Sequence, residues 1–336
     1  MSTRSSERGV LSASRVATWQ IFPSVSEQEA LRFQESLNHR LGRQLQRIAL
    51  AQGDLATVAR IDRLLKSERL RWTTPAHAWF SYRILDKTRI TKDQFTEALG
   101  LLEQTAQNSL PARFSCDATR ITPYWARGEL KLIDEAMTAY HRRPCRSAFA
   151  KSGRAWAERR VLQSADLIGE VWPEAAAEIN RLVRDVVILT GNSFESSMAR
   201  ETFGAIFVCP QPHWLVAYYV EVLLHETAHH SFAIKSTISD FLKNPGVLAQ
   251  SPFRRDPRPL GLVLDAAFVL ARSAHGIARL LESRRCPQRR DTARFLLRWR
   301  EKFSRALLTL SRSAHWTPSG ERLFKSLRDC CLELPS

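Results

Sequence analysis

Residues 225–230 read His-Glu-Thr-Ala-His-His, an H-E-x-x-H pattern at the end of a long apolar run. His225 and His229 are four apart. On an α-helix that spacing stacks them on one face, so both rings can meet one metal ion. The bland alternative is a pair of histidines on an ordinary core helix. A third donor decides what a metal held there could do. Zinc peptidases with this pattern take a Glu from a later helix, or a His from an extended H-E-x-x-H-x-x-G-x-x-H. Here His229 is followed by His-Ser-Phe-Ala-Ile-Lys, and no glutamate lies between His229 and Glu282.

The carboxylates that follow the motif are Asp240, Asp256 and Asp265. Asp256 lies among arginines and prolines, which suits a loop or salt-bridge residue. Asp265 sits inside the apolar run Leu262–Phe268. A charge there is costly unless it is paired or binds a metal. His225, His229 and Asp265 would make a two-histidine, one-carboxylate set with open positions, the pattern of non-haem Fe(II) oxygenases. The alternative pairs Asp265 with a nearby arginine. An oxygenase of this kind uses O2 and a co-substrate that supplies two electrons, as α-ketoglutarate does. The distal carboxylate of that acid needs a cation, and arginine offers a two-pronged fork. Arg254, Arg255 and Arg258 precede Asp265 closely, on a stretch stiffened by prolines 252, 257 and 259.

Glu226 has two readings. In a peptidase it is the catalytic general base; in an oxygenase it orients a ligand or meets substrate. Glu221, one turn before His225, is either an acceptor for that ring or a surface residue. His230 faces about 100° away from His229 and is expected to be a neighbour rather than a ligand.

The elements that must position these residues are mostly helices. Ser26 with Glu29 fits a capping box ahead of a helix through Leu45. Further helices are expected over Asp54–Leu70, after Pro75, from Thr91, and over Pro173 to about Val186. Strands are expected near Val186–Leu189 and Phe203–Cys209. The motif helix is expected from about His213 to Ala233, apolar on all sides and therefore buried. After the Pro/Gly/Ser-rich connection 244–259, helices near 260–284, 291–312 and 320–332 close the chain. The fold class is thus mainly α, a multi-helix fold with a small β element next to the H-E-x-x-H helix. The expected organisation is a mobile N-terminus over 1–20, a helical N-terminal region over 21–150 and a metal-binding catalytic region over 151–336.

Composition sets outer bounds. The 336 residues are 44% apolar, enough for one large domain or two ordinary ones. The N-terminus lacks the apolar core of a secretory signal, and no run of about 18 uncharged apolar residues suits a membrane span. Six scattered cysteines without C-x-x-C spacing fit a reducing cytoplasm. The formal net charge of +16, with arginines dense in the last third, favours an acidic partner. A solvated helix face explains such charge equally well. No zinc finger, RNA-binding signature or basic zipper points to nucleic acid.

The segment from about Phe203 to Ala274 resembles the α-ketoglutarate-HExxH peptide β-hydroxylases, the HExxH-motif peptide-modification proteins of ribosomal peptide natural product pathways. The matching stretches are Phe203-Gly204-Ala205-Ile206-Phe207, Leu223–His229, and Ser251–Leu260 followed by Val263-Leu264-Asp265. They cover about a fifth of the chain. The resemblance implies Fe(II), O2 and α-ketoglutarate, hydroxylation of the β-carbon of a residue in a precursor peptide, and a helical fold instead of a jelly roll. It implies His225 and His229 as iron ligands and Arg258 as the candidate for the α-ketoglutarate carboxylate. Members carry a His where this chain has Asp265; a carboxylate there gives the commoner facial set. An acidic leader on the precursor would suit the basic C-terminal surface. Two other functions compete: a zinc metallopeptidase with Glu226 as base, and a non-catalytic basic module that binds peptides.

Overall fold

A computed structural model describes residues 21–66, 91–107, 148–149, 154–190, 195–198 and 203–335. The helix expected after Pro75, Cys116, Cys145 and the first 20 residues lie outside them. The protein is mainly α-helical with a small sheet, and not a jelly roll. The helices are α1 (Glu27–Ala51), α2 (Leu55–Leu65), α3 (Lys92–Gln107), α4 (Arg154–Val171), α5 (Pro173–Leu182), α6 (Val216–Ile238), α7 (Leu260–Glu282), α8 (Arg289–Ser313) and α9 (Pro318–Glu333). The strands are β1 (Ala148–Phe149), β2 (Asp185–Thr190), β3 (Ser196–Ser197), β4 (Ala205–Val208), β5 (Leu248–Ala249) and β6 (Arg258–Pro259).

The chain forms two compact units and passes between them more than once. One comprises Arg160–Ile179 and Trp214–Ser336 with the segment ending at Ser26; the other comprises Glu27–Arg159 and Asn180–His213. In the second unit α1, α2 and α3 share a core of Leu41, Leu45, Ile61, Phe95, Leu99 and Leu102. Asp54 starts α2 by accepting from the Thr57 backbone N–H at 2.9 Å, a side-chain cap for an otherwise orphan donor. Its sheet has the order β1-β2-β4-β3, with β2 and β4 parallel and the outer strands antiparallel. Continuous Val, Ile and Phe in β2 and β4 match strands covered on both faces.

The first unit is built on α6 and α7. Both are apolar on nearly every side, which is the composition of core helices. α7 is long and apolar enough to cross a membrane, but 72% of its apolar window is buried inside the protein. Gly276 on α7 lets the two helices approach; a Cβ there would run into Leu224 of α6. The Pro-rich connection is better ordered than its composition predicts. β5 and β6 pair antiparallel, Leu248 with Pro259 and Ala249 with Arg258, and so close the loop 250–257 at its base. β6 then runs directly into α7.

A charged cluster lies within this core. Glu178 is fully buried and pairs with Arg272 of α7, which is also buried. The same carboxylate accepts from the backbone N–H groups of Ser24 and Val25 at 3.3 and 3.4 Å and from Ser231 Oγ at 3.3 Å. Lys235 donates to Ser24 Oγ at 2.6 Å. Burial alone would raise the Glu178 carboxyl; Arg272 and Lys235 reverse this and hold it below its ordinary value. Its ionisation therefore contributes stability above the unfolded-state pKa that is lost as pH falls through the lower folded value. Glu178→Ala would leave two buried cations without their carboxylate, and chemical denaturation should show a loss of about 3–5 kcal/mol. Glu178→Gln, which keeps an acceptor for Ser24 and Val25, should lose less.

Candidate metal centre

The motif lies in the middle of α6, and the helix extends five residues beyond its expected end at Ala233. His225 and His229 are one turn apart, with ring centroids 5.0 Å from each other. Each side chain is 17% exposed, whereas Leu224, Glu226, Thr227, Ala228 and His230 are buried. Within residues 219–235 the helix thus reaches solvent only at the two histidines, on one face. His230 is fully buried, as a neighbour on another face would be.

Each imidazole is held by a carboxylate at Nδ1. Glu221 Oε1 lies 2.8 Å from Nδ1 of His225. Asp265 places both oxygens against Nδ1 of His229, at 3.0 and 3.1 Å. Glu221 is itself buried and accepts from Ser273 Oγ at 3.2 Å. A carboxylate at Nδ1 keeps the proton there and leaves Nε2 as the lone-pair nitrogen, the tautomer a metal ligand requires. The two clamps have a common origin. Glu221 and His229 are eight residues apart on α6; Asp265 and Ser273 are eight apart on α7, in opposite order. Antiparallel packing of the two helices sets both contacts at once.

Asp265 therefore meets His229 rather than an arginine, and it does so at Nδ1. Among the described residues no three His, Cys, Asp or Glu side chains are grouped so as to hold one metal ion. The donor chemistry suits a divalent metal at two positions, the Nε2 atoms of His225 and His229, with Asp265 beside them.

Burial alone would lower the His229 imidazolium. The charge and hydrogen bond of Asp265, then Glu226 and Glu221, overcome it and raise the group to about 9. Glu226 is 2% exposed and lies within electrostatic reach of His229. Arg254 and Arg258 are half-buried and Arg255 is exposed. Arg255 and Arg258 make no side-chain hydrogen bond or ion pair among the described residues, so their forks are open to an anion. The loop meets the motif through Phe253, whose ring lies 6.3 Å from that of His225.

Two residues that sequence reasoning did not single out belong here. Trp299 of α8 lies 6.3 Å from His225 and 5.8 Å from Phe253, and Lys302 stands over both aromatic rings. Their only sequence signal is the i, i+4 aromatic pair Phe295 and Trp299, which reads as core spacing. No protein-family model and no curated protein sequence matches the chain.

A metal must displace the second His229 proton, so its affinity should rise with pH up to about 9. Calorimetry at pH 8 in two buffers of different ionisation enthalpy should show about one proton released from this ring per Zn(II) bound. Asp265→Asn removes the charge that raises the group, and proton release at pH 8 should fall.

Proposed function

We propose that this protein is a cytoplasmic non-haem Fe(II)- and α-ketoglutarate-dependent oxygenase that hydroxylates the β-carbon of a residue in a ribosomally made precursor peptide. One observation carries the reading. Two histidines share the exposed face of a buried helix, and a carboxylate fixes each so that its Nε2 is available to a metal. The resemblance over Phe203–Ala274 supplies the reaction class. In this reading His225 and His229 hold the iron at Nε2, and Asp265 would become the third donor only by turning away from Nδ1 of His229. The bound iron would supply the oxidation that turns C–H into C–OH while O2 and α-ketoglutarate become CO2 and succinate.

The chain's own residues do the rest. Glu221 keeps the Nδ1 proton of His225 in place and orients that ring, as Asp265 does for His229 while it stays at Nδ1. Arg258, with Arg254 and Arg255, offers forks for the distal carboxylate of α-ketoglutarate on a loop closed by β5 and β6. Glu226 adds negative charge beside His229 and is assigned to orientation. Free thiols at Cys209, Cys286, Cys330 and Cys331 agree with a reducing compartment.

An acidic leader would meet the basic surface around the start of α8. Arg285 already pairs with Glu170, and Arg289 donates to the carbonyls of Leu281, at the end of α7, and of Ser283, just beyond it. Arg284 and Arg290, exposed and outside those contacts, are the residues of that group left for a partner.

The position of Asp265 at Nδ1 also favours a second reading, a zinc hydrolase in which Asp265 only orients His229 and Glu226 is the general base. Anaerobic titration of Fe(II) and α-ketoglutarate separates the two. The oxygenase should develop the visible charge-transfer band of the chelate, and His225→Ala should abolish it. Asp265→Asn keeps an acceptor for the Nδ1 proton but weakens metal ligation, so it should lose the band if Asp265 is a ligand. A band that persists in Asp265→Asn moves the residue to an orienting role. No band, together with peptide cleavage that Glu226→Gln abolishes, establishes the hydrolase.

A further inference from the structure

The strand pair at the base of the loop 250–257 has an open edge. The Leu260 N–H donates to the Val247 carbonyl at 2.8 Å, so these two residues form a hydrogen-bonded position of the antiparallel ladder. Such positions alternate with positions that exchange no bond. Ala249 and Arg258 therefore make the next bonded position, and Leu248 and Pro259 lie between the two. Pro259, with no N–H to donate, fits that unbonded place. Leu248 in consequence turns its N–H and C=O away from β6, and the pair has no third strand among the described residues. Leu248 is also 66% exposed. An open strand edge is a template for another extended chain.

The surroundings of the edge have a consistent chemistry. Val247 and Leu262 are exposed as well, and the start of α7 is tied to the hairpin where the Gly261 N–H donates to the Pro245 carbonyl at 2.9 Å. Exposed apolar side chains gathered in one place mark an interaction surface. Arg255 adds positive charge. Its side chain is exposed, and its backbone is fixed beside the end of β5, because Gln250 Nε2 donates to the carbonyls of Arg254 and Arg255 at 3.2 and 3.5 Å. The same loop touches the histidine pair at Phe253, whose ring lies 6.3 Å from that of His225. Even fully extended, the chain from Leu248 to Phe253 spans at most about 18 Å. A short extended peptide held at Leu248 is therefore long enough to reach the histidines.

We propose that the open edge of β5 docks an extended segment of an acidic peptide, held by backbone pairing with Leu248 and by the guanidinium of Arg255. Side chains of a paired strand alternate between its faces. A peptide that alternates apolar and acidic residues can thus lay the apolar ones beside Leu248 and Pro259, which share a face, and offer the acidic ones to the arginine. A second copy of this chain is a poorer occupant, since it would bring another formal charge of +16 to the same edge. Only the identification of the peptide as a substrate rests on the oxygenase reading; the docking edge rests on the strand geometry.

The test uses the full chain without metal, so a missing Fe(II) charge-transfer band would defeat the oxygenase reading and leave this binding unchanged. A short fluorescein-labelled peptide of alternating valine and glutamate is titrated by anisotropy. Two controls are titrated beside it. One is the same peptide N-methylated at its valines, which keeps every side chain but removes the donors that would meet Leu248; the other alternates valine and lysine. Each control should bind about tenfold more weakly. Leu248→Pro removes the edge N–H at a position where β6 needs no bond, and it should weaken the glutamate peptide about tenfold without lowering Tm. If Tm does fall, the N-methylated peptide and Arg255→Ser decide. Arg255→Ser should bring the glutamate and lysine peptides to about equal affinity and leave the N-methylation effect in place. Equal binding of the N-methylated peptide overturns the proposal, as does a glutamate preference that survives Arg255→Ser, or no saturable binding of the glutamate peptide. A dimer in sedimentation that Leu248→Pro turns into a monomer assigns the edge to a second copy and overturns it too.

Discussion

A helix enclosed on nearly all sides cannot carry charge without a partner for each charge, and α6 carries several. Glu221, Glu226 and Lys235 are all buried on it, along with His230. Desolvating an unpaired ion costs several kcal/mol, on the order of a whole domain's stability for two or three of them. The surroundings of α6 are arranged accordingly. Ser273 and His225 meet Glu221. Lys235 reaches Ser24. The Glu178–Arg272 pair spans the same core and ties down the segment before α1. Apart from the i, i+4 contact of His225 with Glu221, these contacts join parts of the chain that are far apart in sequence, so the polar cluster specifies which elements may pack on α6.

α7 is the main complement. One antiparallel face of it supplies Asp265, Arg272 and Ser273, and the first and last of these serve the histidine clamps. Gly276 leaves the space between the two helices that the Leu224 side chain fills. The histidines are thereby fixed by charge and packing together. A ring held at Nδ1 by a carboxylate and on its face by neighbouring rings has little rotational freedom, which is what a precise donor atom needs.

The same clamps impose a constraint on chemistry. Asp265 raises His229 to about 9, so the ring is a proton carrier near neutral pH until something displaces the proton. A bound metal would do so, and the carboxylate that favoured the proton would then strengthen the nitrogen as a ligand. Aromatic and cationic groups lie on the two elements that flank the histidines outside α6: the Pro-rich loop, with its arginines and Phe253, and α8, with Trp299 and Lys302. Cationic side chains thus stand beside a histidine pair that carboxylates hold at Nδ1.

The sequence alone determined the helical class, the motif helix and its burial, because an apolar run with 3.6-residue periodicity is a local property. It also placed His225 and His229 on one face, which four-residue spacing dictates in any helix. It could pick out Asp265 as anomalous, since an acid in the run Leu262–Phe268 must be compensated. It could not say by what. That Asp265 lies at Nδ1 of His229 depends on the register of α7 against α6, which no local pattern encodes. Glu221 stood in sequence as either clamp or surface residue; only packing showed it buried. Trp299 was illegible as a neighbour of His225, because an i, i+4 aromatic pair in an amphipathic helix looks the same whatever it packs against. The antiparallel strand pair at the base of the loop was hidden by its prolines, since two residues per strand are too few to show alternation. What tertiary structure decided throughout was which polar group meets which, because desolvation makes those pairings compulsory only once the helices have closed.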